Sequence, residues 1–111
     1  MTTYVFKILN LKDWIFLKKN KYFLGSKLDK ISGYIHLCSK NQLRDTLNIY
    51  FSNHTKVVVL KFLHSSLKAK IKWEKSRNEN LFPHYYGILN FKKIIQIKEI
   101  RTKTINRVKV K

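Results

Sequence analysis

The chain has 111 residues, which is near the commonest size of a single domain and leaves no room for a second independent core. Hydrophobic residues make up 44% of it and aromatic residues 14%, enough apolar surface to exclude a wholly disordered chain. The 24 Lys and Arg residues outnumber the 6 Asp and Glu residues and give a formal net charge of +18. A field of this sign favours polyanions without selecting among nucleic acid, nucleotide and anionic membrane.

The positive charge also has an interpretation that requires no partner. Lys, Asn and Ile are abundant, as in proteins encoded by AT-rich genomes, where codon drift adds these residues to solvated surfaces. Composition alone leaves anion binding and codon drift both open.

Cysteine and histidine usage argues against a disulfide framework and against a metal site. Cys38 is the only cysteine, so no intrachain disulfide or cysteine metal cluster can form, and a reducing cytoplasm is the expected location. The four histidines show no metal-ligand spacing. The opening residues lack a basic segment followed by a long apolar run, and no later stretch approaches the length of a membrane span, so neither export nor membrane insertion is expected.

The first third of the chain predicts a strand, a helix and a second short strand. Residues 4–9 are β-branched and aromatic, and residues 11–19 place apolar side chains close to helical spacing. Residues 24–27 and Ser32-Gly33 have loop and turn chemistry. Residues 34–37 follow and predict a short strand of four residues.

The next segment predicts a helix followed by the most strand-like run in the chain. Ser39 is expected to cap a helix over residues 40–51, with Leu43, Leu47 and Tyr50 facing the core. Residues 57–60 are Val-Val-Val-Leu and predict a central strand.

Three further strands are predicted over residues 71–74, 85–89 and 94–100. The expected fold class is therefore α+β, with a small mixed or antiparallel sheet and two helices in the N-terminal half. The expected domain spans residues 1–101. Residues 102–111 are basic and contain no acid, which predicts either a solvated tail that can contact phosphate or an extension of an edge strand.

The first cluster of chemically capable side chains lies in residues 33–39. Alternation along a strand places His36 on one face with Tyr34 and Cys38, while Ile35 and Leu37 point to the other. A histidine so placed can act as a general acid or base near neutral pH. The alternative is a core histidine bonded to a backbone carbonyl.

The second cluster lies in residues 73–77 and 81–87 and combines an acid, a guanidinium, an imidazole and two phenols. Arg77 offers a planar fork suited to phosphate or carboxylate, and His84 and Tyr86 offer hydrogen-bond donors. The alternative is that Glu74 and Arg77 form a surface ion pair beside a loop shaped by Pro83.

Several blocks of the sequence resemble the small bacterial domain-of-unknown-function family 952. They keep the family's order and approximate spacing over roughly residues 4–100. The blocks are Phe6-Lys7-Ile8-Leu9, Trp14, Gly25-Ser26, Asp29, Gly33-Tyr34-Ile35-His36-Leu37, Gln42, Trp73-Glu74, Ser76-Arg77, Leu81-Phe82-Pro83-His84 and Tyr86-Gly87. This resemblance implies an ADP-ribosyltransferase-like fold, with no reaction established for the family.

A more distant resemblance is to the RNA two-prime phosphotransferases, which consume NAD while removing a phosphate from an RNA splice junction. Their strand motif His-Val-His-Leu-Ser is similar to Tyr34-Ile35-His36-Leu37-Cys38. Their following apolar strand is similar to residues 57–60, and Lys7 would occupy the neighbourhood of their first-strand histidine.

These resemblances imply a pocket for NAD or another nucleotide, with ADP-ribosyl or phosphoryl transfer as the related chemistry. The implied catalytic residues are His36 and Glu74. The implied ligand-binding residues are Lys7, Tyr34, Arg77, His84 and Tyr86. No metal is expected.

Two other classes of function stay open at this stage. One is a non-catalytic nucleic-acid-binding module that uses the basic surface and tail. The other is a partner-binding domain with no small ligand, in which both clusters are architectural. The sequence carries no signal for an oligomeric state.

Overall fold

The computed structural model describes residues 2–101, in which strands and helices alternate up to residue 67 and four strands follow. The strands are β1 (Tyr4–Leu9), β2 (Tyr22–Phe23), β3 (Ile35–His36), β4 (Lys56–Leu63), β5 (Ile71–Lys75), β6 (Leu81–Tyr85), β7 (Leu89–Asn90) and β8 (Ile94–Arg101). The α-helices are α1 (Leu11–Asn20), α2 (Lys27–Ser32), α3 (Leu43–Tyr50) and α4 (His64–Leu67). Short 3-10 turns, among them Lys40–Gln42 and Arg77–Glu79, join several of these elements.

The main sheet is antiparallel and has the strand order β1-β4-β8. Val57 and Leu60 of the middle strand are completely buried, because this strand has a sheet neighbour on each side and packed side chains on both faces. β-Branched residues suit such a pleated, enclosed surface. The predictions of an opening strand, of a central strand over residues 57–60 and of a last strand over residues 94–100 are confirmed.

Two smaller antiparallel sheets complete the fold. One pairs β2 with β7, and the other has the order β3-β6-β5. The strand predicted over residues 71–74 is confirmed as β5. The observed class is α+β with small antiparallel sheets, so the expectation of a single sheet is wrong.

Two apolar clusters hold these sheets together. The first contains side chains of β1, α1 and β4 together with Ile35 and Leu37, and the second contains other side chains of β1 and β4 together with Cys38 and Phe82. Because successive side chains of a strand point to opposite faces, the burial of Ile35 and Leu37 turns His36 away from the first cluster, as expected.

Capping residues define where the first helix begins. The side chain of Asn10 accepts a hydrogen bond from the backbone N–H of Asp13 at 2.7 Å, which satisfies one of the free amides of the first turn. The helix predicted over residues 11–19 is confirmed as α1.

The helix predicted over residues 40–51 is confirmed as a 3-10 turn followed by α3. Leu43 and Leu47 pack against the second apolar cluster as expected. The expectation for Tyr50 is wrong, because its side chain is exposed. Its ring lies 5.7 Å from the Arg77 guanidinium, a contact that keeps the phenol at the surface.

Helix α2 was not expected, because residues 24–27 predict a loop. Ser26 and Asp29 form a capping box, in which each side chain accepts a hydrogen bond from the other's backbone N–H, at 3.1 and 2.9 Å. Gly33 ends the helix with a φ of +90°. The first half of the chain therefore holds three helices instead of two, because α2, with 6 residues, is too short to show an apolar period.

The strand predicted over residues 85–89 is wrong in its bounds. The observed strand is β6, which ends at Tyr85 and contains Pro83. Proline lacks an N–H donor and is uncommon inside a sheet, which is why the sequence favours a later start. In the structure the carbonyl of Pro83 accepts a hydrogen bond from the Leu37 N–H at 3.1 Å.

None of the helices in residues 2–101 is long and apolar enough to cross a membrane. The prediction for residues 102–111, a basic tail or an edge-strand extension, lies outside the described residues.

Candidate functional site

The pairing of β3 with β6 places His36 directly opposite His84. Their ring centroids are 5.8 Å apart, and the two rings meet edge to face. The neighbours Ile35 and Tyr85 are packed in the first apolar cluster. Alternation therefore puts both imidazoles on the opposite face of this small sheet.

Asp29 is a buried carboxylate that organises the His36 side of the site. Its relative exposure is 1%. It accepts hydrogen bonds from the Lys7 ammonium at 2.9 and 3.2 Å, from the His36 Nδ1 at 2.6 Å, and from the backbone N–H groups of Ser26 and His36 at 2.9 and 3.1 Å. Both carboxylate oxygens are thus saturated with donors, which makes the burial of the charge tolerable.

These donors keep Asp29 ionised. Burial raises the pKa of its carboxyl group, but the hydrogen bond from His36 and the positive charge of Lys7 lower it by more, so the pKa lies well below its usual value of 3.8. Asp29 therefore carries its negative charge throughout the range in which enzymes work.

The room for this carboxylate depends on Gly25. A methyl group at that position would lie 2.9 Å from the Asp29 Cβ. The backbone there has a φ of +124°, a value that residues with a side chain rarely adopt. Glycine thus lets the loop before α2 approach Asp29 closely.

The Asp29 contact determines which nitrogen of His36 is available. An ionised carboxylate can only accept, so Nδ1 carries the proton, and in the neutral ring Nε2 presents a lone pair. The side chain of His36 is 31% exposed. Such an oriented imidazole can take a proton from a ligand or return one through Nε2. His36 is therefore not the core histidine bonded to a carbonyl that the sequence left open.

A second carboxylate and imidazole pair lies beside the first. The Nδ1 of His84 is 2.7 Å from Glu74 Oε1, and the Tyr86 hydroxyl donates to the same oxygen at 2.7 Å. His84 is 3% exposed, whereas the Glu74 side chain is 39% exposed. His84 therefore lies below the surface, and Glu74 and Tyr86 lie at the rim.

The shared oxygen shifts the acidity of both rim groups. The hydrogen bonds from Tyr86 and His84 lower the pKa of Glu74. The same bond to Glu74 raises the pKa of Tyr86 to about 12. Glu74 is consequently an anion and Tyr86 a neutral donor at neutral pH.

Tyr34 connects the two pairs by ring contacts. Its ring stacks on His84 at a centroid distance of 4.0 Å and lies 4.7 Å from His36 and 5.4 Å from Tyr86. A cleft of about 250 Å³ opens beside Tyr34 and Tyr86 and is also lined by Asp29 and Lys30.

We call this connected set the histidine cluster. Its members are Lys7, Asp29, Tyr34, His36, Glu74, His84 and Tyr86. The structure thus brings together six of the seven residues singled out from the sequence, whose roles stay predictions. Lys7 is buried, and its ammonium also donates to the His36 carbonyl at 3.1 Å, so the geometry favours a supporting role for it over contact with a ligand.

Arg77 is the candidate that the structure places outside the histidine cluster. Its guanidinium lies over the Phe82 ring at 4.8 Å, and its Nη2 donates to the Thr46 hydroxyl at 3.2 Å. The surface ion pair between Glu74 and Arg77 that the sequence left open is wrong, because Glu74 is bonded to His84 and Tyr86 instead.

Cys38 does not join the histidine cluster either. Its side chain packs in the second apolar cluster, and burial raises the pKa of the thiol to about 12. A protonated, enclosed thiol is a poor nucleophile.

Comparisons with known proteins agree with this fold. A profile of the family described as "Protein of unknown function (DUF952)" matches residues 8–97. The chain belongs to this family. No curated protein matches it.

Solved structures of protein CC0527 from Caulobacter crescentus are similar to this DUF952 chain. The crystal structure has a TM-score of 0.83 at 31% identity, covering 87% of this chain and 85% of that one. The solution NMR structure has a TM-score of 0.79 at 30% identity, covering 88% and 84%. Both share its arrangement of helices and small antiparallel sheets.

Asp29 is the member of the histidine cluster that sequence reasoning did not put forward as a site residue of this DUF952 domain. Its signal was the pattern Ser26-x-x-Asp29, which is typical of a helix N-terminus. That pattern predicts the capping bonds but not the second use of the same carboxylate, to hold Lys7 and His36. Within residues 2–101 no group of three or more His, Cys, Asp or Glu side chains is arranged to hold a metal ion.

Proposed function

We propose that this domain binds a nucleotide of the NAD or ADP-ribose class at the histidine cluster and uses His36 as its proton-transferring group. The observation that carries the proposal is the bond between the buried Asp29 carboxylate and the part-exposed His36 at 2.6 Å. A charged carboxylate behind an imidazole fixes the tautomer and stabilises the imidazolium that forms on proton uptake.

The surroundings of His36 suit one end of such a nucleotide. The rings of Tyr34 and Tyr86 offer stacking surfaces, and the Lys72 ammonium lies 5.0 Å from the Tyr86 ring, where it can meet a phosphate. The adjoining cleft of about 250 Å³ is smaller than the roughly 300–1,000 Å³ of sites for whole drug-sized ligands. It fits one nucleoside-sized part of a dinucleotide, with the rest lying on the basic surface.

Glu74 is the group we assign to charge stabilisation. NAD supplies an activated bond between ribose and nicotinamide, and positive charge develops on the ribose as that bond breaks. Both contacts of Glu74 within residues 2–101 use Oε1, so Oε2 is free to face this charge. With a hydroxyl acceptor, His36 Nε2 would take the proton of that hydroxyl as its oxygen bonds to the ribose and nicotinamide leaves; a phosphate acceptor attacks as an anion and gives up no proton.

The ADP-ribosyltransferase-like fold implied by the sequence resemblance supports the same ligand class. The chain also resembles, more distantly, the RNA two-prime phosphotransferases, which consume NAD while removing a phosphate from RNA. We therefore include a two-prime phosphorylated RNA among the candidate acceptors.

Calorimetric titration of the full chain with NAD, ADP-ribose and a two-prime phosphorylated oligonucleotide tests the proposal. A saturable heat with NAD or ADP-ribose is the expected result, and release of nicotinamide on adding the oligonucleotide would extend it to catalysis. No binding of either nucleotide at millimolar concentration would overturn it.

Two substitutions of His36 separate ligand binding from folding. The amide nitrogen of asparagine can replace Nδ1 as donor to Asp29, so His36→Asn keeps that bond and removes Nε2. Glutamine reaches further and preserves a polar group near Nε2 while losing the short bond. We expect His36→Asn to lose nucleotide affinity with little change in melting temperature, and His36→Gln to lose more stability. Equal nucleotide affinity in His36→Asn and the parent would remove His36 from the site.

The net charge of +18 favours a second candidate, a nucleic-acid-binding module. Electrostatic binding to phosphates weakens steeply with salt, by about 10³–10⁵ between 50 and 200 mM for six to ten contacts, whereas pocket binding changes modestly. Deleting residues 102–111 should lower the affinity for an oligonucleotide and flatten its salt slope. An unchanged affinity and slope would favour codon drift as the origin of the charge.

A further inference from the structure

We propose that Arg77 forms a second ligand site, separate from the histidine cluster, that binds a singly charged oxyanion. The site is a cleft of about 350 Å³ between the start of α3, the 3-10 turn at Arg77 and the start of β6. We call it the Arg77 cleft. It is lined by Ser39, Asn41, Gln42, Asp45, Arg77, Asn78, Asn80, Leu81 and Phe82. This inference does not depend on the proposed nucleotide function.

The guanidinium of Arg77 has no carboxylate partner within residues 2–101, although it is half-buried. Its one hydrogen bond in that part of the chain goes to the neutral hydroxyl of Thr46. Guanidinium has five N–H donors in a rigid plane. A cation that is partly removed from water and leaves most of its donors unused is an arrangement that an anion completes.

Two aromatic rings lie beside the guanidinium. The Phe82 ring centroid lies 4.8 Å from the guanidinium carbon, and the Tyr50 ring centroid lies 5.7 Å from it. A ring attracts the cation without accepting a conventional hydrogen bond, so the N–H donors are left to bind phosphate or carboxylate through two parallel bonds.

The other lining groups set the charge of the ligand. Arg77 and Asp45 are the two charged side chains among the described residues that line the cleft, and Asn41, Asn78 and Asn80 contribute neutral amides. The single guanidinium compensates the whole charge of a monoanion but only half that of a dianion, and the repulsion from Asp45 grows with the charge of the ligand. A phosphodiester or a carboxylate, each carrying one negative charge, fits better, with hydroxyl groups of the ligand bonding to the amides.

The walls of the cleft are held in place by backbone contacts. Gln42 accepts a hydrogen bond from the Ser39 N–H at 2.9 Å and donates to the Leu81 carbonyl at 2.8 Å, so it ties the start of α3 to β6. On the opposite wall, Asn78 and Glu79 both have left-handed backbones, with φ of 57° and 64°. Such conformations in residues other than glycine are costly and persist where the surrounding structure enforces them.

The Arg77 cleft adjoins the histidine cluster without sharing a side chain with it. Phe82 and His84 are two residues apart in β6 and point to the same face, so they lie about 7 Å apart along the strand. The two sites therefore use different side chains, and substitutions of Arg77 test the cleft without removing a member of the histidine cluster.

The test uses NMR of the full chain, following the Nε–Hε signal of Arg77. The probes are dimethyl phosphate and acetate, which are monoanions, and phenyl phosphate at pH 8, which is a dianion. We expect saturable shifts with the monoanions and weaker binding of the dianion. Tighter binding of dimethyl phosphate would identify a phosphodiester as the ligand group, and tighter binding of acetate a carboxylate.

Matched variants separate this site from general surface charge. Arg77→Lys keeps the charge but not the fork, and should weaken monoanion binding about tenfold. Lys75→Ala removes a highly exposed cation two residues away and should change binding less than twofold. Asp45→Asn should improve phenyl phosphate binding. Equal binding by Arg77→Lys and the parent, an equal loss in Lys75→Ala, dianion binding as tight as that of the monoanions, or no saturable shift with any probe would overturn the proposal.

Discussion

Replacing Asp29 by asparagine should destabilise the fold more than any exposed charge change. The substitution leaves the Lys7 ammonium, 5% exposed, without its anion, and it gives His36 Nδ1 a neutral acceptor. Removing one partner of a buried ion pair typically costs about 3–5 kcal/mol. The free energy of unfolding of a domain is only about 5–15 kcal/mol. We therefore expect Asp29→Asn to lose a large fraction of the stability at pH 7, measured by urea unfolding.

The pH dependence of this loss has a definite sign. The pKa of Asp29 is lower in the folded state than its usual value of 3.8. Its contribution is therefore fully present above that value and disappears as the pH falls towards the folded-state pKa. The difference in the free energy of unfolding between the parent and Asp29→Asn should narrow as the pH falls below 4, because the carboxyl group of the unfolded parent then takes up a proton.

Two further variants make the Asp29 result decisive. Glu99→Gln removes an exposed carboxylate that lies 3.5 Å from Lys56, and should cost less than about 1 kcal/mol. Lys7→Met combined with Asp29→Asn removes the stranded cation and should recover part of the loss. If Asp29→Asn costs no more than Glu99→Gln, or if the double substitution is worse than the sum of its parts, our description of Asp29 as the organising anion is wrong.

Three other predictions follow from the contacts of the site. Gly25→Ala should lower the free energy of unfolding by about 1–3 kcal/mol, measured by chemical unfolding. The loss should exceed that of Gly33→Ala, because an added methyl group at Gly25 lies 2.9 Å from the Asp29 Cβ while one at Gly33 meets nothing within 4 Å. Equal losses in the two variants would contradict this reasoning. Glu74→Gln should lower the pKa of Tyr86 from about 12 towards its usual 10.0, read by ultraviolet titration; an unchanged phenol titration would exclude the Glu74 bond as its cause. Tyr86→Phe should raise the pKa of Glu74, because it removes the hydroxyl group whose hydrogen bond lowers that pKa most. Carbon NMR of the Glu74 carboxyl group measures the change, and an unchanged pKa would show that this hydrogen bond is not formed in solution.

The strands of the main sheet could be predicted because each is recognisable from the apolar residues of its own segment. Residues 57–60 can be recognised as a buried strand without reference to a distant partner, and Ser39 indicates the start of a helix because serine is a preferred N-cap residue. The bounds of β6 and the presence of α2 escaped prediction because local sequence signals conflict with the tertiary structure there. Pro83 interrupts the pattern of a strand, and the 6 residues of α2 are too few for periodicity.

Six of the seven members of the histidine cluster were predicted from the sequence as site residues, and the seventh, Asp29, was not. His36 lies in an otherwise apolar strand, Glu74 and Tyr86 lie in a segment dense in polar side chains, and the structure brings them into one network. The role of Asp29 depends on a lysine 22 residues earlier and a histidine 7 residues later, a convergence that no local pattern contains. Arg77 was grouped with the histidines because it is near them in sequence, whereas the 3-10 turn directs it towards α3.

Nitrogen NMR of the His36 imidazole at alkaline pH reports which ring nitrogen carries the proton. We expect a protonated Nδ1 and an unprotonated Nε2, and a saturable shift of the Nε2 signal on titration with ADP-ribose. The ring of His64, whose Nε2 accepts from the Trp73 indole at 3.2 Å, should not respond and provides the internal control. A proton on Nε2 in the free protein, or an Nε2 signal that ADP-ribose does not shift, would show that Asp29 does not orient His36 towards a nucleotide.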